Sequence, residues 1–207
     1  MEEVLKNVAN LVVVGSWNRD IFTPKWVKDN ILIGTEFEVL FPVNTLNSMK
    51  FVILEKYSFA ISLNRLEFQL LNNSQEVSTE MLNVAISILR CLIHTPINSF
   101  GINFLYKTNE RPGLLSSLQH TNEIKTELNN ANIVRTEIVR TYNLDSKQTL
   151  NFKVSQEQEN VTFDFNFSYN VDNIKMMMDI IDGNDNMINE RRIIAKKLME
   201  NVYGSNE

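Results

Sequence analysis

The chain has 207 residues, 43% of them hydrophobic and 22% charged, with a formal charge of −5. That composition belongs to a globular chain long enough to bury a core without cross-links, and it excludes a disordered segment. The mild acidic excess favours solubility and argues against a dedicated nucleic-acid binder, which carries a basic surplus. Cys91 is the one cysteine, so an internal disulfide is excluded and a reducing, cytoplasmic setting is expected. The start, Met1-Glu2-Glu3, lacks a basic-then-apolar leader. No apolar run approaches the ~20 residues that cross a bilayer, so no membrane association is expected.

In chain order, residues 11–14 form a β-branched apolar run ending at Gly15 and predict a buried strand. Thr23-Pro24 announces a helix over 24–31, because Thr caps well and Pro suits the first helical position. Residues 36–41 alternate Glu36 and Glu38 against Phe37, Val39 and Phe41, a half-buried strand. After a loop over 42–48, a further apolar strand is predicted over 49–54.

Residues 57–71 are the most informative. Phe59, Ile61 and Leu63 alternate with small residues, and then the parity changes to Leu66, Phe68 and Leu70. One strand cannot keep both sets on a single face. A two-residue turn at Asn64-Arg65 reconciles them, pairing Leu63 with Leu66, Ile61 with Phe68 and Phe59 with Leu70; a β-bulge is the competing explanation.

A polar loop over 72–75 precedes the clearest helix, over 77–93. Its polar residues Asn83, Ser87, Arg90 and His94 make one narrow stripe on an otherwise apolar cylinder, the pattern of a largely buried helix. Pro96 stops it, and 100–106 reads as a strand. Residues 107–132 are polar, with a turn at Arg111-Pro112-Gly113 and a short helix over 114–119; this loop is the natural boundary between halves.

The second half predicts strands over 133–142 and 150–154 and a strictly alternating strand over 161–169. A four-residue loop over 156–159 would pair Val154 with Val161, Phe152 with Phe163 and Leu150 with Phe165. Asp172 is expected to cap a helix running to Ile181, closed by Gly183. A final helix over 187–203 places Met187, Ile194, Ala195, Leu198 and Val202 on one side. The expected fold is α+β: antiparallel hairpins and meanders with helices on one face. It spans 1–207 as one domain, divisible into 1–106 and 133–207, each half carrying a hairpin followed by a helix.

Motifs that carry chemistry fail one by one. Asp182, Asn184 and Asn186 match the first ligand positions of a calcium loop, but the glycine position is Met187 and the bidentate glutamate position is Ile193. Cys91 and His94 lie about one helical turn apart without a second ligand pair, so a buried structural thiol and a surface histidine are expected, and no metal. Glu36, Glu38, Glu67 and Asp164 fall on polar strand faces, where a solvated sheet surface is the default. There is no GxGxxG, no GxxxxGK[ST] and no GxSxG, so no catalytic residue and no cofactor is expected.

Remaining candidates are surfaces. Arg191, Arg192, Lys196 and Lys197 form a basic cluster, with Arg192 and Lys196 as i, i+4 neighbours. Met176-Met177-Met178 spreads adaptable side chains around one helix. Trp17 and Trp26 are anchor types. Trp17, Trp26, Met176, Met177, Arg192 and Lys196 are therefore the interface candidates. The function expected is a non-catalytic binding or scaffolding protein that self-associates or meets a protein partner. The alternatives are an enzyme with a site on polar strand faces and the 107–132 loop, and, third, a nucleic-acid-associated protein acting through the basic helix.

Overall fold

The computed structural model describes residues 2–41, 49–108, 135–157, 160–182, 184 and 186–203. In chain order they form β1 (Glu2–Glu3), β2 (Leu11–Gly15), α1 (Pro24–Asn30), β3 (Glu38–Leu40), β4 (Lys50–Ile53), β5 (Tyr57–Ile61), β6 (Arg65–Leu70), α2 (Gln75–Cys91), β7 (Ile97–Thr108), β8 (Arg135–Asn143), β9 (Gln148–Glu157), β10 (Asn160–Asn170), α3 (Ile174–Ile181) and α4 (Met187–Tyr203). This is an α+β architecture. The ten strands make one antiparallel sheet, ordered β3-β4-β5-β6-β2-β7-β10-β9-β8, with β1 alongside the far end of β7.

Read outward from the central β2–β7 pair, the two sides carry the same order. One side runs β6, β5, β4 and the other β10, β9, β8; α2 follows β6 as α3 follows β10. β3 extends one side only. The 12-residue β7 joins the sides, taking β2 and then β1 along one edge and β10 along the whole of the other.

Strict alternation sorts the sheet into two faces. One face carries Phe51, Phe59 and Phe68 across β4, β5 and β6, with ring centroids 5.0 and 5.5 Å apart. It continues through Leu11 and Val13 to Phe104, Phe165 and Phe152, all buried. Each such side chain contributes about 1.5–3 kcal/mol by leaving water. Helices α2 and α4 cover this face over β6, β7 and β10 and pack on each other. On the opposite face Glu67, Asn103, Asn151 and Asn166 are half-buried and Asp164 is exposed.

Helix starts follow the side chains that cap them. Thr23 Oγ1 accepts from Trp26 N at 3.2 Å, and Ser74 Oγ accepts from Val77 N at 3.3 Å, satisfying amides with no helical partner. α2 therefore begins at Gln75, earlier than the polar loop expected there. Asn173 caps α3, its Oδ1 accepting from Met176 N at 2.9 Å, and Asp172 stands one residue outside.

Both hairpins exist, and both are displaced by two residues from the pairing expected. Ile61 pairs with Leu66, Phe59 with Phe68 and Tyr57 with Leu70. The turn thus centres on Leu63-Asn64, and Leu63 is 66% exposed. In the second hairpin Val154 pairs with Phe163, Phe152 with Phe165 and Leu150 with Phe167. β8 begins at Arg135 and the last helix at Met187, close to the expected bounds. The buried line of α4 is Ile188, Arg192, Ala195 and Met199, whereas Ile194 and Leu198 are only half-buried. Cys91, the last residue of α2, is exposed, not buried. Residues 109–134, with the expected turn at Arg111-Pro112-Gly113 and the helix over 114–119, lie outside the described residues.

Candidate functional site

Three regions could carry function: a buried ion pair beside a cavity, the open sheet face and the outer edge of β8. The first is built by the chain's two ends. Arg192 projects from the buried line of α4 and Glu3 comes from β1, held against β7 by the Glu3–Tyr106 pairing. The Arg192 and Glu3 side chains are only 7% and 4% exposed, and Arg192 Nε stands 3.2 Å from Glu3 Oε2. It donates to Glu3 Oε1, also at 3.2 Å. The Arg192 fork is occupied further by Asn189 Oδ1 and by Ser78 Oγ at 3.5 Å. Its carbon centre lies 5.4 Å from the centroid of the Phe104 ring, a cation–π arrangement.

Beside this pair is a cavity of about 480 Å³ lined by Glu2, Glu3, Tyr106, Lys196, Met199 and Glu200, with Asn73 at its margin. Tyr106 is 2% exposed. Among the described residues, its hydroxyl is buried without a hydrogen-bond partner, whereas Glu3 Oε2 is held in the ion pair with Arg192. Burial pushes the Tyr106 phenol well above its ordinary range, and the nearby Glu3 carboxylate adds to the effect against the opposing Arg192 charge. The phenol therefore stays neutral and keeps its proton.

The open face carries a chain of side-chain hydrogen bonds across four strands. Thr141 Oγ1 pairs with Asn151 Oδ1 at 2.8 Å, Asn151 Nδ2 donates to Asn166 Oδ1 at 3.2 Å, and Asn166 Nδ2 donates to Asn103 Oδ1 at 2.5 Å. Asn103 Nδ2 then donates to Ala9 O at 2.8 Å, reaching the segment before β2. Gly101 makes room: a Cβ there would stand 3.1 Å from Asn166 Nδ2.

The strand carboxylates do not gather on this face. Glu67 and Asp164 are three strand steps and four residues of register apart, roughly 20 Å at ~4.8 Å per step and ~3.3 Å per residue, and Glu38 faces the Gln69 row rather than that of Glu67. Glu36 precedes β3. The surroundings of Asp164 raise its carboxyl above the ordinary range through desolvation, with Lys153 opposing. Glu137 is lowered by hydrogen bonds from Lys153 and Arg135. Among the described residues no three His, Cys, Asp or Glu side chains meet as a metal cluster. The calcium-like run is tied up locally: Asn184 Nδ2 donates to Glu190 Oε2 at 2.8 Å, and Asp182 lies 3.7 Å from Arg90. Among the described residues no helix is long and apolar enough to cross a membrane.

The sequence-based interface candidates separate. Trp17 is 3% exposed, its indole N–H donating to Val13 O at 3.3 Å. Trp26 is half-buried, edge-on to Phe22 at 5.2 Å. Met177 is fully buried and Met176 half-buried on α3. Arg192 and Lys196 are the two that come together, at the cavity. The basic cluster is divided, since Arg191 also turns inward, its Nε donating to Tyr169 Oη at 2.7 Å. Glu3 and Tyr106 were missed. Nothing local to Glu2-Glu3 marks a strand; the one available signal was a charged residue, Arg192, within reach of a helix's apolar line.

Compared with protein-family models and with curated protein sequences, the chain matches none.

The outer edge of β8 completes the picture. Among the described residues this nine-residue strand pairs with β9 alone, and Val139 and Tyr142 on it are 61% and 40% exposed.

Proposed function

We propose that this chain is a non-catalytic binding protein that self-associates, a second copy adding to the sheet at the outer edge of β8. The observation that carries the reading is that edge: nine residues with one paired side and apolar side chains in solvent. A long strand edge with no partner among the described residues offers backbone donors and acceptors to another strand. A twofold axis at Val139 sets Arg135 against Asn143, Glu137 against Thr141 and Ile138 against Arg140, so no like charges face each other. The dispersal of the strand carboxylates weighs for binding over acid–base catalysis, which needs two acids at a defined distance.

Sedimentation equilibrium across a wide concentration range tests it. A dimer that Val139→Lys converts to monomer supports the reading, because the substitution sets two ammonium groups face to face at the axis. A strictly monomeric wild type overturns it.

A further inference from the structure

The first strand and the last helix complete each other's seat on the sheet. β1 sets Glu2 and Glu3 against Lys107 and Tyr106 of β7, and Val4 N donates to Leu105 O at 2.7 Å. α4 rests on the sheet through arginines as well as apolar side chains. Arg192 stands in its buried line, over the Phe104 ring. The half-buried Arg191 lies 5.8 and 6.0 Å from the Phe167 and Tyr169 centroids. The charge that Arg192 carries into the interior is met by Glu3.

We propose that β1 and α4 form a clasp that opens as one unit while the rest of the sheet stays folded. Opening frees the β7 edge at Leu105, Tyr106 and Lys107 and uncovers the rings of Phe104, Phe167 and Tyr169. The ion pair supplies the coupling. When β1 leaves, the Arg192 guanidinium loses its counter-charge at a place built to exclude water, and when α4 leaves the Glu3 carboxylate does. Each departure destabilises what remains of the pair, and such a coupling is reciprocal. The clasp has limits on both sides. Asn7 takes a left-handed φ of 62° and ends the extended backbone of the first segment. Asn10, 1% exposed, then accepts from Leu70 N at 2.8 Å through Oδ1 and donates to Asn103 O at 3.2 Å through Nδ2. Its side chain ties β6 to β7 just before β2 begins, so β2 keeps its place when β1 leaves. Before α4, α3 has its own cap at Asn173 and its own buried residues, Ile174, Met177 and Ile181. Short terminal elements seated in this way open at lower free energy than core strands.

Native-state hydrogen exchange of the full chain, followed residue by residue over increasing urea, tests the clasp. Val4 and the α4 amides are expected to exchange through one opening, with a shared free energy and urea dependence below those of β5, β6 and β10. Separate openings for Val4 and α4, or exchange of both only together with the core, overturn the proposal. Lys197→Gly then probes the coupling from a distance, at an exposed position of α4 outside the cavity lining. Glycine inside the helix should speed α4 exchange roughly fivefold, and Val4 by the same factor. An unaltered Val4 rate would mean that the two ends open independently, against the proposal. If Lys197→Gly does not fold, Glu3→Gln gives the reverse experiment: α4 exchange should rise by about tenfold or more, and an unchanged rate there is equally fatal.

Discussion

Arg192 and Glu3 are separated by 189 residues and meet with 3.2 Å between guanidinium nitrogen and carboxylate oxygen. The contact ties the last helix to the first strand and sits where an apolar helix line would otherwise carry an aliphatic residue. A buried pair of this kind adds little over a well-packed apolar pair, yet breaking it strands the surviving charge. Arg192→Ala is therefore expected to cost about 3–5 kcal/mol in urea denaturation. The double variant Arg192→Met with Glu3→Leu should recover most of that loss, and a double-mutant cycle reads the coupling directly. Arg192→Lys should not rescue, because an ammonium cannot serve Glu3, Asn189 and Ser78 with the planar fork they share.

Stability at high pH should fall through three phenols. Tyr57, Tyr106 and Tyr169 are all raised above their ordinary range, in each case chiefly by burial; the Glu80 carboxylate adds to the effect at Tyr57, and Arg191 opposes it at Tyr169. A raised folded-state value gives stability that is fully present below the unfolded value, near pH 10, and lost as pH climbs beyond it. The slope is up to ~1.4 kcal/mol per pH unit for each phenol. Urea midpoints measured at about pH 8, about pH 10 and about pH 11 should drop over the last interval. Tyr106→Phe, which removes a hydroxyl with no partner among the described residues, should flatten that drop without loss of stability at neutral pH. An equal slope in wild type and variant would show that its titration is not linked to folding.

Gly101 and Asn166 are coupled through space, not through a bond. A Cβ at position 101 would press on an amide nitrogen that Asn103 already holds. Gly101→Ala should gain up to ~1 kcal/mol from reduced chain freedom but lose more by displacing the amide chain, for a net cost of about 1 kcal/mol. With Asn166→Ala in place the clash disappears, and the same change at 101 should stabilise. Gly15→Ala is the harsher control. Its Cβ would come within 2.4 Å of Pro96 O, a backbone atom that cannot step aside, and a cost of about 3 kcal/mol is expected. Thermal denaturation of the wild type and the four variants, with the Gly101/Asn166 cycle closed, measures both.

What could be read in the sequence was parity; what could not was register. The alternation in residues 57–70 and 150–169 identified which side chains face the core, because a period of two assigns faces without knowing the partner strand. In both hairpins the true pairing is two residues from the expected one, and a slip of two keeps every side chain on its face. The amphipathic stripe of α2 was equally legible: Asn83 and Arg90 are exposed and Ser87 is half-buried, while His94, also exposed, lies past the end of the helix at Cys91. The ion pair at the cavity was hidden for the opposite reason. Glu3 pairs with the part of β7 beyond β2, and Arg192 is buried among Glu3, Ser78 and Phe104, partners remote in sequence, so neither has a local signature.

The register of the first hairpin is decided from outside it. Leu63 O accepts from Trp17 N at 2.9 Å and Asn64 O accepts from Gly15 N at 3.1 Å, so the turn is fastened to the end of β2. Within the turn, Ser62 N donates to Arg65 O at 2.8 Å, and Ser62 Oγ accepts from Arg65 N at 3.1 Å. Neither Leu63 nor Asn64 takes a positive φ, so the left-handed tolerance of asparagine that suggested a turn here is not what forms it. Ser62→Ala should then cost about 1 kcal/mol through the lost acceptor. Leu63→Ser should stay within ~0.5 kcal/mol, as expected of an exposed apolar side chain away from any packing. Had Leu63 stood opposite Leu66 in the core, the same change would remove about 2 kcal/mol or more. Urea denaturation of Leu63→Ser therefore separates the two registers, and a loss on that larger scale would show the strands paired two residues away from where the structure sets them.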